Sequence, residues 1–267
     1  MGRLDRKRAV VVGAAGAGNM GQVIARRLAA EGASVLVAGR RVETLQALAG
    51  EIGGHFHVCD ITNREAVFSL ESQAAEKLGG CDILVNAAGL AIMTPSLDVS
   101  EEEIDQLTDL HVKGPFFLLQ AFGKYMSTQS GGAIIQISSA TTQCPVDNSA
   151  LYIGTKAAGD HFVKAFAHEL GPSGVRINSI APGLTETPMT AQATATPGLS
   201  DAFVKRYPLG RIGTSEDIAD AVVWLSEDSC FMTGQVLQVN GGLTLRGNPT
   251  GDDVMASIMS ATSASEA

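Results

Sequence analysis

Short apolar runs rich in β-branched residues recur along the chain, and between them lie stretches whose apolar positions repeat at helical spacing. Residues 9–12 form the first run and break into Gly13-Ala14-Ala15-Gly16-Ala17-Gly18-Asn19-Met20-Gly21. Val23, Ile24, Ala25 and Leu28 then mark one face of a helix that stops at Gly32. Further strands are predicted at 34–38, 55–60, 82–86, 133–137, 175–180 and 235–239. A helix starts at Ser100-Glu101-Glu102-Glu103, a cap followed by an acidic first turn, and runs on through Leu107, Leu110, Phe117 and Leu118. Another opens at Ala150, carries Ala158, Phe162, Phe166 and Leu170 on its apolar stripe, and ends at Gly171-Pro172. Ser215-Glu216-Asp217 caps a helix bearing Ile218, Val222 and Leu225. This alternation predicts an α/β fold, a doubly wound parallel sheet of about seven strands with helices on both faces.

Composition narrows the function. The 267 residues suit a single catalytic domain over 1–267, with a Thr-, Ala-, Pro- and Gly-rich substrate lid at 184–210 and a small, polar C-terminal tail at 246–267. With 45% hydrophobic residues, 18% charged residues and a net charge of −9, the chain can bury a substantial core and has no general attraction to nucleic acid or anionic lipid. It has no apolar run of about 18 residues that could span a membrane. Cys59, Cys81, Cys144 and Cys230 are scattered, as expected of reduced thiols in a cytoplasmic protein, and the basic segment 1–8 leads straight into a strand with no targeting pattern.

Strand, glycine turn and helix in succession make a Rossmann-type dinucleotide site. Glycines let the backbone approach a pyrophosphate, and the helix start offers free N–H groups. Gly16 to Gly21 fits G-x-G-x-x-G, with Gly13, Gly16, Gly18, Met20 and Gly21 as the candidate contacts. After the second strand, Gly39 stands where an acid would hold a ribose 2′-hydroxyl, and Arg40 and Arg41 follow. Arginine suits a 2′-phosphate, so NADP(H) is favoured over NAD(H), with NAD(H) the alternative. His55, His57 and Cys59 alternate onto one strand face as metal ligands would, but no fourth ligand is near. Packing in a sheet covered on both sides is the preferred reading, and no metal is expected.

Tyr152 and Lys156 are four apart at the start of the helix from Ala150, on one helical face. A neighbouring ammonium favours phenolate, which would let Tyr152 act as acid or base. Ser139, at the end of the strand 133–137, can reach the same point and hydrogen-bond a substrate oxygen.

The glycine loop, Asn86-Ala87-Ala88-Gly89, Ser139, Tyr152-x-x-x-Lys156 and Pro182-Gly183 follow one another along the chain. In this set the sequence resembles the classical short-chain dehydrogenase/reductase (SDR) family, from Lys7 to Gly242. The resemblance implies that Tyr152 exchanges a proton with the substrate oxygen, Ser139 positions that oxygen, and Lys156 binds the ribose while lowering the tyrosine pKa. It also implies that Asp60 and Ile61 meet the adenine, and that Asn86, Ala87 and Gly89 line the cofactor cleft. Pro182, Gly183, Thr185 and Thr187 would hold the nicotinamide end, and homotetramers built on two long helices are usual. His111 stands in place of the family's helix asparagine, in Asp109-Leu110-His111-Val112-Lys113-Gly114, and is taken as the fourth catalytic residue, with an added ionisation near ~6.5. The glycine loop is longer than the family's, Val12 replaces its threonine, and Asn240 stands where an aspartate is common.

The expected activity is hydride transfer between NADP(H) and a ketone or secondary alcohol. The alternatives are an NAD(H)-dependent alcohol dehydrogenase, an enoyl-thioester reductase, and a non-catalytic dinucleotide sensor. Thr141, Gln143, Cys144, Met93 and Met189 are the candidate substrate-pocket residues, neutral and mid-sized, with Arg211 the one charge that could turn inward.

Overall fold

A computed structural model of the chain describes residues 2–129 and 131–265. Seven parallel strands form the main sheet: β1 (Arg8–Val12), β2 (Ser34–Gly39), β3 (His55–Val58), β4 (Ile83–Asn86), β5 (Gly132–Ile137), β6 (Val175–Pro182) and, after a small parallel pair β7 (Thr185–Glu186) and β8 (Gly213–Thr214), β9 (Val236–Val239). Their order is β3-β2-β1-β4-β5-β6-β9. Chain direction across the sheet reverses between β1 and β4, which opens a crevice at the carboxyl ends of the strands, where ligands of such folds bind.

The helices are α1 (Met20–Ala30), α2 (Val42–Ile52), α3 (Arg64–Leu78), α4 (Glu101–Thr108), α5 (Gly114–Thr128), α6 (Ala150–Leu170), α7 (Ala191–Thr194), α8 (Leu199–Val204), α9 (Ser215–Ser226), α10 (Leu243–Arg246) and α11 (Gly251–Ser265). Alternate residues of β1 divide the core between the two sheet faces. Val11 packs into a cluster with Ile24, Leu28 and Val222, and Val10 into one with Leu70, Phe122 and Val163.

Four expectations change. The His55–Val58 strand is covered on one lateral side only, because the order leaves β3 at the sheet edge with His55 and Val58 exposed. The helix from Ser100 keeps its cap, a reciprocal pair of bonds with Glu103, but a π-helical turn at Asp109–Lys113 interrupts it. The cap of α9 is Thr214 rather than Ser215, since Thr214 and Asp217 form the reciprocal bonds. Finally, the deepest stripe of α6 is not Phe162, Phe166 and Leu170 but Thr155, Lys156, Gly159, Asp160, Val163 and Ala167. Two charged residues occupy that stripe, which hides it from hydrophobic periodicity.

Candidate active site

The crevice is lined first by the glycine loop. Gly13 has φ +88°, and a Cβ there would lie 2.4 Å from the Ala88 amide nitrogen, so only glycine lets β1 exit this close to the end of β4. Asn19, which the glycine pattern does not single out, closes the loop. Its Nδ2 donates to the Gly13 carbonyl at 2.7 Å, and its Oδ1 accepts the Gln22 N–H at 3.0 Å as the cap of α1. Thr44 at the start of α2 donates to the Ala15 carbonyl at 2.7 Å, tying the glycine loop to that helix. A Cβ on Gly39 would meet the Ala15 Cβ at 2.7 Å, so the longer loop occupies the space an acidic side chain would need.

Arg40 is 79% exposed, and its Nη1 lies 4.0 Å from Asp60 Oδ2, while Asp60 Oδ1 accepts from the Thr62 amide and hydroxyl. Arg41 is exposed beside it, and Ile61 is buried. The Asn86 side chain is committed on both sides, donating to Gln136 Oε1 at 2.9 Å and accepting the Ala88 N–H at 3.1 Å, so it shapes the exit of β4.

At the centre of the crevice, α6 brings Tyr152 and Lys156 beside Ser139. The Lys156 ammonium lies 5.8 Å from the Tyr152 ring centroid and donates to the Ile137 carbonyl at 3.0 Å. Ser139 Oγ accepts from the Thr141 amide and hydroxyl at 3.2 and 2.9 Å. A Cβ on Gly89 would lie 3.4 Å from Lys156 Nζ and 3.6 Å from His111 Nε2, which leaves a gap beside both groups. Burial lifts the Tyr152 phenol above its ordinary pKa, and the bond with Ser139 opposes that rise. Desolvation of the phenolate, and not the lowering expected from Lys156, sets the direction. Burial also pulls Lys156 down to about 8, against the influence of Asp160.

His111 sits in the π-helical turn, 3% exposed, with its ring edge-on to Tyr152 at 5.6 Å between centroids. Its Nε2 accepts the Leu90 N–H at 3.2 Å. Burial, and then the nearby Lys156 charge, hold its pKa at about 3, which corrects the expected ionisation near ~6.5.

The threonines of the predicted lid form one knot. Thr190, missed in the sequence because threonines are common there, donates to the Thr185 carbonyl at 2.6 Å and accepts the Thr187 N–H at 3.1 Å. Thr185 is buried and donates to the Gly183 carbonyl, next to Pro182 at the end of β6. Met93 and Met189 are exposed at the rim, with the Ser149 hydroxyl 2.9 Å from Met93 Sδ. Thr141 and Gln143 follow Ser139, whereas Cys144 is buried with Ala140, Tyr207, Ile212 and Leu243. The Cys144 carbonyl accepts from Asn248 Nδ2 at 2.6 Å, which brings the C-terminal segment against the site. Arg211 turns outward and pairs with Asp217 through two bonds of 2.7 Å.

A parallel sheet with a glycine-built crevice at its switch point, and a Ser–Tyr–Lys group beside it, defines a dinucleotide-dependent oxidoreductase acting on alcohol and carbonyl groups. Comparison with known proteins agrees. A family profile described as enoyl-(acyl carrier protein) reductase matches residues 13–244. The chain is 34% identical to gluconate 5-dehydrogenase of Gluconobacter oxydans, over 91% of this chain and 96% of that one. It is 33% identical to D-threitol dehydrogenase of Mycolicibacterium smegmatis, over 91% and 95%. A short-chain type dehydrogenase/reductase from Mycobacterium ulcerans superposes with a TM-score of 0.90 at 30% identity, over 96% of this chain and 98% of that one. The protein belongs to the classical short-chain dehydrogenase/reductase family. Among the described residues, no helix is long and apolar enough to cross a membrane.

Proposed function

We propose that the protein is an NADPH-dependent ketone reductase, reversible as a secondary-alcohol dehydrogenase, with Tyr152 as the proton donor. The observation that carries this reading is the meeting of three groups in the crevice: Tyr152 bonds Ser139, and the Lys156 ammonium, held by the Ile137 carbonyl, lies 5.8 Å from the phenol ring. The cofactor fits the crevice, because Gly89 leaves space beside Lys156 and His111 that a side chain would fill. Gly13, Gly16, Gly18, Met20 and Gly21 would hold the pyrophosphate, Arg40 and Arg41 a 2′-phosphate, and Asp60 and Ile61 the adenine. Asn86, Ala87 and Gly89 would line the ribose side with Tyr152 and Lys156, and Pro182, Gly183, Thr185 and Thr187 would hold the amide end. When bound, NADPH supplies a hydride to the carbonyl carbon. Ser139 orients the carbonyl oxygen, Tyr152 gives it a proton, and Lys156 carries the positive charge that steadies the phenolate left behind. Nothing charged faces the pocket from Thr141, Gln143, Cys144, Met93 or Met189, which favours a neutral substrate.

Titrating the protein with NADPH and NADH while following nicotinamide fluorescence tests the cofactor reading. Tighter binding of NADPH supports it, tighter binding of NADH refutes the role given to Arg40, and binding of neither overturns the dinucleotide-dependent reading itself. Neutral D-threitol, named for one relative, is the first alcohol to try, and the gluconate anion, named for another, is the contrast that an uncharged pocket should disfavour. The description of the matching family profile favours a second reading, reduction of an enoyl thioester. Against it, Tyr152 and Lys156 are only one helical turn apart, a closer spacing than resembling enoyl reductases use; turnover of a crotonyl thioester but of no ketone would establish it.

The family resemblance also supports a homotetramer. Phe116 packs edge-on against Phe162 and Phe166 at 5.2 and 5.3 Å, a half-covered aromatic face on the two long helices α5 and α6. Light scattering after gel filtration reads the mass directly.

A further inference from the structure

Asp160 is a buried ionisable group to which the mechanism above gives no work. It lies on the deep stripe of α6, four residues after Lys156, so the two side chains are neighbours on one helical face. Both are almost fully covered, Lys156 at 6% exposure and Asp160 at 5%. They also grip the same strand end: Lys156 Nζ donates to the Ile137 carbonyl at 3.0 Å, and the Ser138 hydroxyl donates to Asp160 Oδ2 at 2.9 Å. Ile137 and Ser138 are consecutive, and the next residue is Ser139. Asp160 Oδ1 has no hydrogen-bond partner. A carboxylate this deep is costly unless an opposite charge compensates it.

We propose that Asp160 is the buried counter-charge of Lys156, clamped with it to the end of β5, and that it holds this lysine in the ammonium form the reaction needs. The proposal rests on the reductase reading above, in which Lys156 acts as a cation. Other groups around the pair do not fill this role. On α6 itself Tyr152 is a neutral phenol and His161, Lys164, His168 and Glu169 are exposed, and the π-helical turn contributes His111, which burial keeps uncharged. Asp109 and Lys113 of that turn pair with each other at 2.7 Å. On β6 the Arg176 guanidinium donates to the Leu225 and Glu227 carbonyls, and the two residues just after β5 offer only the hydroxyls of Ser138 and Ser139. Helix α4 carries Glu101, Glu102 and Asp105, all exposed, and Glu103, which bonds Thr94. Helix α5 carries exposed Lys124 and half-buried Tyr125. Burial drives Lys156 toward the neutral amine, and Asp160 is the influence that opposes it. Asp160 thus acts through Lys156 as a positioning residue, and Ser138 links it to the strand that presents Ser139.

The test is Asp160→Asn, which keeps the shape and can still accept from Ser138. The alkaline limb of kcat for carbonyl reduction should move down by about one pH unit or more, while the rate on the acidic side of that limb stays within about threefold of wild type. Asp160→Glu, which retains the charge, should return the limb toward the wild-type position. A parallel readout needs no turnover: the Lys156 side-chain ¹³C resonance, assigned by its loss in Lys156→Arg, should titrate at lower pH in the asparagine variant. An unmoved limb and an unmoved resonance overturn the proposal. If the wild type reduces no carbonyl, the reductase reading fails, and the resonance alone decides the pairing. Should the asparagine variant not fold, Asp160→Leu gives the same resonance test with an apolar side chain in the site.

Discussion

His111 Nδ1 lies 3.1 Å from the Thr155 hydroxyl, and the neighbours of the pair set the direction of that bond. His111 Nε2 accepts from the Leu90 amide, so Nδ1 carries the proton, and the Thr155 hydroxyl, which donates to the Tyr152 carbonyl at 3.1 Å, receives it. The imidazole is a neutral brace between the exit of β4 and the helix that carries Tyr152.

A brace of this kind should not titrate during turnover. His111→Asn is expected to leave the pH–rate profile without any lost ionisation near ~6.5. Folding should respond instead. The histidine pKa falls from 6.5 in the unfolded chain to about 3 in the fold, so between those values the unfolded state binds a proton that the native state does not. Stability therefore rises with pH through that window and is lost as pH falls, by at most ~1.4 kcal/mol for each pH unit crossed. The asparagine variant should lose less stability than wild type as pH drops from 6.5 toward 3, read by urea unfolding at each pH.

Thr155→Val would leave the buried Nδ1–H of His111 without its acceptor. It should cost ~1–3 kcal/mol in denaturant unfolding, and Thr155→Ser should recover most of that loss.

Tyr152→Phe should lower kcat by about 10²- to 10⁴-fold, the usual contribution of a positioned proton donor. NADPH affinity should change far less, because the phenyl ring still packs against His111 as the phenol does. Stopped-flow hydride transfer and fluorescence titration separate the two effects.

Arg40→Ala should weaken NADPH binding about 10- to 100-fold while leaving NADH nearly unchanged, since a charge-assisted bond to phosphate is worth ~1.5–3 kcal/mol. Gly39→Asp, the obvious change toward NADH, should destabilise the protein by itself, because its Cβ would lie 2.7 Å from the Ala15 Cβ. Adding Ala15→Gly should relieve that clash, and calorimetric Tm values for the single and double variants check it.

Much of the site is local and legible along the chain. Tyr152 and Lys156 share a face because they are one turn apart, and the glycine loop declares itself between a strand and a helix. The roles of His111 and Asp160 are another matter. Apolar repeats from Leu107 to Leu118 read as one helix, and no pattern in them announces the π-helical turn at Asp109–Lys113 that holds His111. A charged residue such as Asp160 reads as solvent-facing until Ser138 and Lys156 are seen beside it.

The sequence by itself determined the alternation of strands and helices, the dinucleotide crevice and the Ser139–Tyr152–Lys156 set, because these rest on periodicity, turn chemistry and short spacings. Only the tertiary structure decided that β3 lies at the sheet edge, that Ala15 closes off Gly39, and that His111 and Tyr152 are kept uncharged. Each of these depends on which distant segments are packed against a group, and desolvation and steric exclusion arise only from that packing.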